Sequence, residues 1–118
     1  MTQEKGIGMQ QESIAGRCLC GAVRFEIKPP LSGFRYCHCS RCRKATGSAH
    51  AANVFLPQGQ LTWLSGESLI RRFDLPGAKR FAVCFCTKGG TRVPHKIVGT
   101  ENYLVPAGIL DSSPDERP

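Results

Sequence analysis

Apolar and polar residues alternate along this chain in short bursts. Val23, Phe25 and Ile27 fall on one side of an extended backbone and Arg24, Glu26 and Lys28 on the other, the period-2 pattern of a strand with one buried face, and Pro29 and Pro30 stop it. Further runs predict strands over 51–56, 61–64, 69–73, 81–86, 91–97 and 103–107, separated by turn formers such as Gly59, Gly66, Pro76 and Gly77. Helical spacing survives for no window longer than about ten residues without a Gly or Pro interrupting it, so only one short helical turn is expected, over 40–45. Short strands between turn signals describe a mainly β fold. Trp63, Phe55 and Phe73 are the aromatic residues expected in its core. Nothing repeats at a solenoid period of about 20 to 50 residues.

The 118 residues can bury one modest core. The polar ends, 1–13 and 112–118, read as tails around a β domain spanning 14–111. With 41% hydrophobic and 21% charged residues the composition is that of an ordinary globular protein. No run approaches the roughly 18 apolar residues of a membrane span, and the opening residues lack the apolar core of a secretory signal. The expectation is a cytoplasmic protein with no membrane contact.

Seven cysteines change this picture. An odd number leaves one unpaired in any disulfide scheme, and a reducing compartment favours thiolate ligands over disulfides. They fall in three groups: Cys18 and Cys20; Cys37, Cys39 and Cys42; Cys84 and Cys86. Soft thiolates two or three residues apart can meet on one Zn²⁺ because the backbone between them turns tightly. Gly21, Gly89 and Gly90 stand where such turns need a positive φ. The middle group supplies three corners of a tetrahedron and leaves the fourth open, as in catalytic rather than structural zinc sites. For Cys84, inside the apolar run 81–85, a small buried hydrophobe is the competing reading.

The formal charge of +7 counts every cysteine as neutral, and two zinc ions on seven thiolates would lower it by about three. Basic stripes interleaved with aromatic residues are missing, which argues against nucleic acid as a partner. Arg41, Arg43 and Lys44 stand beside the proposed open zinc and could pair with ligand carboxylates, although a plain solvated face explains them too. His38 lies between two ligands, and His50 and His95 are isolated, so none is chosen as a ligand.

These motifs resemble the family of glutathione-dependent formaldehyde-activating enzymes, to which centromere protein V is also similar. The residues that carry the likeness are Gly16-Arg17-Cys18-Leu19-Cys20-Gly21, Cys37-His38-Cys39-Ser40-Arg41-Cys42-Arg43-Lys44 with Gly47-Ser48, Phe85-Cys86, Gly90-Thr91 and Gly108-Ile109-Leu110-Asp111. The resemblance implies a β-tent fold with one or two Zn²⁺ ions: a structural zinc on Cys18, Cys20 and Cys86, and a catalytic zinc on Cys37, Cys39 and Cys42. The implied activity is that of a carbon–sulfur lyase, an S-(hydroxymethyl)glutathione synthase-like enzyme joining glutathione or a related thiol to formaldehyde or another carbonyl. A non-catalytic zinc module that binds a protein or nucleic acid is the alternative.

Two departures stand out. The family pattern places a cysteine where this chain has Gly89. Cys84 could replace that ligand, since it shares a strand face with Cys86, or the site could be weakened or completed by water. Family members also usually continue beyond the Leu110-Asp111 motif, so a closing strand is expected to be missing here.

Overall fold

Alternation in a strand commits every second side chain to one face, and three small sheets use that rule to enclose two apolar clusters. The computed structural model describes residues 12–113; most of both expected tails falls outside this range. Among the described residues the strands are β1 (Ile14–Arg17), β2 (Arg24–Ile27), β3 (Gly33–Cys37), β4 (Ala51–Leu56), β5 (Leu61–Ser65), β6 (Ile70–Asp74), β7 (Ala82–Cys86), β8 (Arg92–Val93), β9 (His95–Lys96) and β10 (Tyr103–Pro106). One helix, α1 (Ser40–Thr46), interrupts them. The sheets run β1-β2-β5, β3-β4-β10-β9 and β6-β7-β8, and each pairing is antiparallel. This is the mainly β architecture of short antiparallel strands that the alternation predicts.

The larger cluster holds Phe25, Ile27, Val54, Leu56 and Val105, all fully buried. The smaller one holds Cys18, Val23, Cys84, Cys86 and Val93. Trp63 packs against both, with its ring edge-on to Phe25 at 5.9 Å. Phe25 needs a neighbour without a side chain: it pairs with Gly16 across β1 and β2, where a Cβ would lie 2.3 Å from its ring. The same Gly16 bridges Leu110, and the Asp111 N–H donates to Ala15 O at 2.7 Å. The Gly108–Asp111 motif thus folds back onto the strand that leads into the first cysteine pair.

Several expectations are corrected. β1 and β3 escaped the periodicity reading, because β1 is only four residues long and includes Gly16, and β3 runs directly into the cysteine cluster. The run 91–97 is two strands rather than one, broken at Pro94, which has no N–H for a ladder. Phe73 is not a core residue; it stands 47% exposed on β6. Phe55 is half-buried, with the Arg35 guanidinium 4.9 Å above its ring, and Phe25 is the aromatic anchor.

Candidate metal centres

Cys18 and Cys20 lie in the turn that leaves β1. The Gly21 N–H closes this turn on Cys18 O at 3.0 Å, and Gly21 adopts φ 81°, a conformation that favours glycine. Cys86 ends β7 and reaches them from far along the chain. The Cys18 and Cys20 sulfurs are 3.3 Å apart, and those of Cys20 and Cys86 are 3.7 Å apart. Thiolates at about 2.3 Å from a tetrahedral zinc stand about 3.8 Å from each other, so the donor set and its spacing fit that ion. Burial alone would push the Cys18 thiol up; hydrogen bonds from the Val23 N–H, Cys20, Cys86 and the Gly21 N–H outweigh it and bring it down to about 7. The backbone there is arranged to favour a thiolate, the form that binds metal.

Gly89 stands against this triad. A Cβ at that position would lie 3.1 Å from Cys20 Cβ and 3.2 Å from its sulfur, so a cysteine there would direct its thiol at the same ligand group. Cys84 does not fill the gap. The metal-binding group contains Cys18, Cys20 and Cys86 without it. Residues two apart on a strand share a face but sit about 6.6 Å from each other, too far for adjacent corners of one zinc without a bend. Cys84 instead packs among Val23 and Val93, where burial pushes its thiol up, against the pull of Arg72.

The second triad, Cys37, Cys39 and Cys42, has its three sulfurs within 4.8 Å of one another. Cys37 ends β3, paired with Ala51. Cys39 is the N-cap of α1, its sulfur accepting from the Cys42 N–H at 3.4 Å. Cys42 sits in the first turn of the helix, which ends at Gly47 with φ 67°. The N–H of Cys42, then the neighbouring Cys42 and Cys37 thiols, hold the Cys39 thiol down to about 7. Burial, then the Cys37 and Cys39 thiols, push Cys42 up to about 12. Thiols this close compete for one negative charge, a conflict that a bound cation would relieve. Cys39 is exposed, and Cys37 and Cys42 are half-buried.

The basic residues divide. Arg41 and Lys44 line a groove of about 410 Å³ floored by Phe81 and Phe85. Arg43 is not among its lining residues; its Nε donates to His38 O at 3.1 Å and braces the loop between two ligands. The His38 and His50 rings lie tilted against each other beside Tyr36, and neither they nor His95 belong to a group that could hold a metal. Among the residues the sequence reading passed over, Arg92 borders the groove and, together with Asn53 and His95, a smaller adjoining cavity. Each is isolated in the sequence, so no local spacing announces them.

No helix of the described residues is long and apolar enough to cross a membrane. None of the curated proteins searched matches this chain significantly. A structural-genomics crystal structure of a Rhodobacter sphaeroides protein is similar, with a TM-score of 0.65 at 25% identity over 88% of this chain and 91% of that one. Residues 13–118 match the family model described as glutathione-dependent formaldehyde-activating enzyme. Two cysteine triads that could hold metal ions, in a mainly β fold matched by that family model along nearly its whole length, establish that the chain belongs to the family of glutathione-dependent formaldehyde-activating enzymes.

Proposed function

We propose that this protein is a zinc-dependent enzyme of the carbon–sulfur lyase type that joins glutathione, or a related thiol, to formaldehyde or another small carbonyl. In the forward direction the thiol sulfur bonds to the carbonyl carbon, the C=O π pair moves to oxygen, and that oxygen takes the thiol proton. The observation that carries the reading is the partly exposed Cys37, Cys39 and Cys42 triad at the start of α1, the helix that also lends Arg41 and Lys44 to a groove. Zinc bound by the triad would supply a Lewis acid that lowers the pKa of an incoming thiol.

The chain's own residues supply the rest. Arg41 and Lys44 offer cationic partners for the two carboxylates of glutathione, each contact contributing about 1 kcal/mol or less at an exposed site. Phe81 and Phe85 give the groove an apolar floor that limits water. Cys18, Cys20 and Cys86 would hold a structural zinc. All seven thiols are free, which suits a reducing cytoplasm.

Calorimetric titration of glutathione into zinc-loaded protein tests this. Cys39→Ser should abolish binding, because serine still caps α1 but is a poor zinc ligand. Glutathione binding that is equally tight in the variant would remove the reading.

A further inference from the structure

Two buried polar atoms among the described residues have no hydrogen-bond partner, Arg92 Nε and His95 Nδ1. Both residues line one cavity of about 150 Å³. It lies between the β3-β4-β10-β9 and β6-β7-β8 sheets, and Cys42 of the second triad is part of its wall. His95 is 6% exposed and Asn53, also in the wall, 8%. Leaving a buried donor unsatisfied costs about 1–3 kcal/mol, and native proteins leave few. Two such atoms on residues that line one cavity are therefore a sign of what the cavity takes.

The Nε of an arginine can only donate, so its missing partner is an acceptor. Arg80 also lines the cavity. None of the residues lining the cavity is acidic, which leaves the charge of Arg92 without a carboxylate there. The partner that suits this surplus is an anion. Phe55, Phe81 and Leu104 make the rest of the wall largely apolar, and a water, though it could accept from Arg92 Nε, would neutralise none of the positive charge that Arg80 and Arg92 bring there. Formaldehyde, with two heavy atoms, would fill little of the space and leave the arginine charge unmatched.

We infer that this cavity binds the carboxylate of a short oxo acid on Arg92 and His95, so that its carbonyl carbon lies toward Cys42 and the thiol triad. Carboxylate binding stands on the cavity alone; its meaning as the seat of the carbonyl substrate rests on the function proposed above. The substrate class is then a two- or three-carbon oxo acid, whose carbonyl accepts the thiol sulfur while the carbonyl oxygen takes the thiol proton, with no net oxidation or reduction. Arg92 and Phe81 border both this cavity and the larger groove, so the two spaces adjoin.

The test is a titration of isotope-labelled, zinc-loaded protein with glyoxylate, following the His95 ring nitrogens by NMR. Glycolaldehyde serves as a neutral analogue of the same size. Glyoxylate should shift the His95 signals saturably, bind at least tenfold more tightly than glycolaldehyde, and lose at least tenfold in Arg92→Gln. If that variant does not fold, the ratio of glyoxylate to glycolaldehyde in the unmodified protein decides. Equal binding of the two, or no shift with glyoxylate, overturns the inference. So does a His95 shift produced by glutathione alone, which would make the cavity the seat of the thiol's own carboxylate. Glyoxylate binding should persist in Cys39→Ser. Glutathione binding without a glyoxylate effect therefore removes the oxo acid and spares the thiol site, and a glyoxylate effect without glutathione binding keeps the cavity and removes the proposed enzyme.

Discussion

The two cysteine triads use the same ligand chemistry in opposite settings. The first joins a turn after β1 to the end of β7, with Cys20 and Cys86 separated by 66 positions. Two of its members, Cys18 and Cys86, belong to the buried core, at 2% and 0% exposure. The second comes from a single stretch of six residues, and none of its cysteines is buried. A metal that gathers distant segments inside a core is linked to folding, because the unfolded chain does not hold that site together. A metal held by one local loop leaves most of the fold indifferent to its presence and its outer face free for a ligand.

The largest expected effect strikes this contrast directly. Cys86→Ser should cost at least about 3 kcal/mol in the thermal unfolding of zinc-loaded protein, since it removes a buried ligand from a site coupled to the core. Cys39→Ser should cost less than about 1 kcal/mol. Equal losses would erase the distinction between a structural and an accessible site.

The next effect separates the region behind the second triad from the metal. Burial, with Arg72 and Arg92 adding to it and Asp74 opposing, pushes His95 from 6.5 down to about 4. The unfolded chain therefore takes up a proton before the folded one does. Stability is fully present above pH 6.5 and falls as the pH drops toward about 4, by up to about 3 kcal/mol. Denaturant unfolding across this window should show the decline in the native chain and a shallower one in His95→Gln. Parallel curves would mean that His95 titrates alike in both states.

A smaller change sharpens the comparison at the first triad. Gly89→Cys adds a fourth thiol beside Cys20 and should slow zinc loss to a chelator about tenfold, equivalent to about 1.4 kcal/mol, without altering the second site. Release at an unchanged rate would show that the added thiol cannot reach the ion. The smallest effect lies at the other end of α1, where nothing crowds Gly47. Gly47→Ala should cost about 1 kcal/mol through its left-handed backbone alone, read by urea unfolding. Because α1 carries Cys42, zinc affinity at the second triad should weaken while the first stays unaltered.

Local chemistry was legible in the sequence for a physical reason: neighbouring residues cannot separate by more than the chain between them allows. The spacing of Cys37, Cys39 and Cys42 brings three sulfurs within 4.8 Å of one another, and the short helix over 40–45 forms as α1 (Ser40–Thr46). Alternation from Val23 to Ile27 likewise yields β2 and its buried face. Gly21 and Gly90 take the expected positive φ, whereas Gly89 does not.

What only the tertiary structure decided depends on register between distant strands. Cys84 and Cys86 are equivalent in the pattern and both are buried in one cluster, yet pairing sets Cys86 opposite Ile70 and Cys84 opposite Arg72 and Val93, and only Cys86 meets Cys20. The exposure of Phe73 follows from which strand lies beside which. Arg92, His95 and Asn53 come from three strands and share a cavity only after two sheets pack. Sequence fixes ligands that are neighbours along the chain; the partners of an isolated residue are set by the packing of elements far from it.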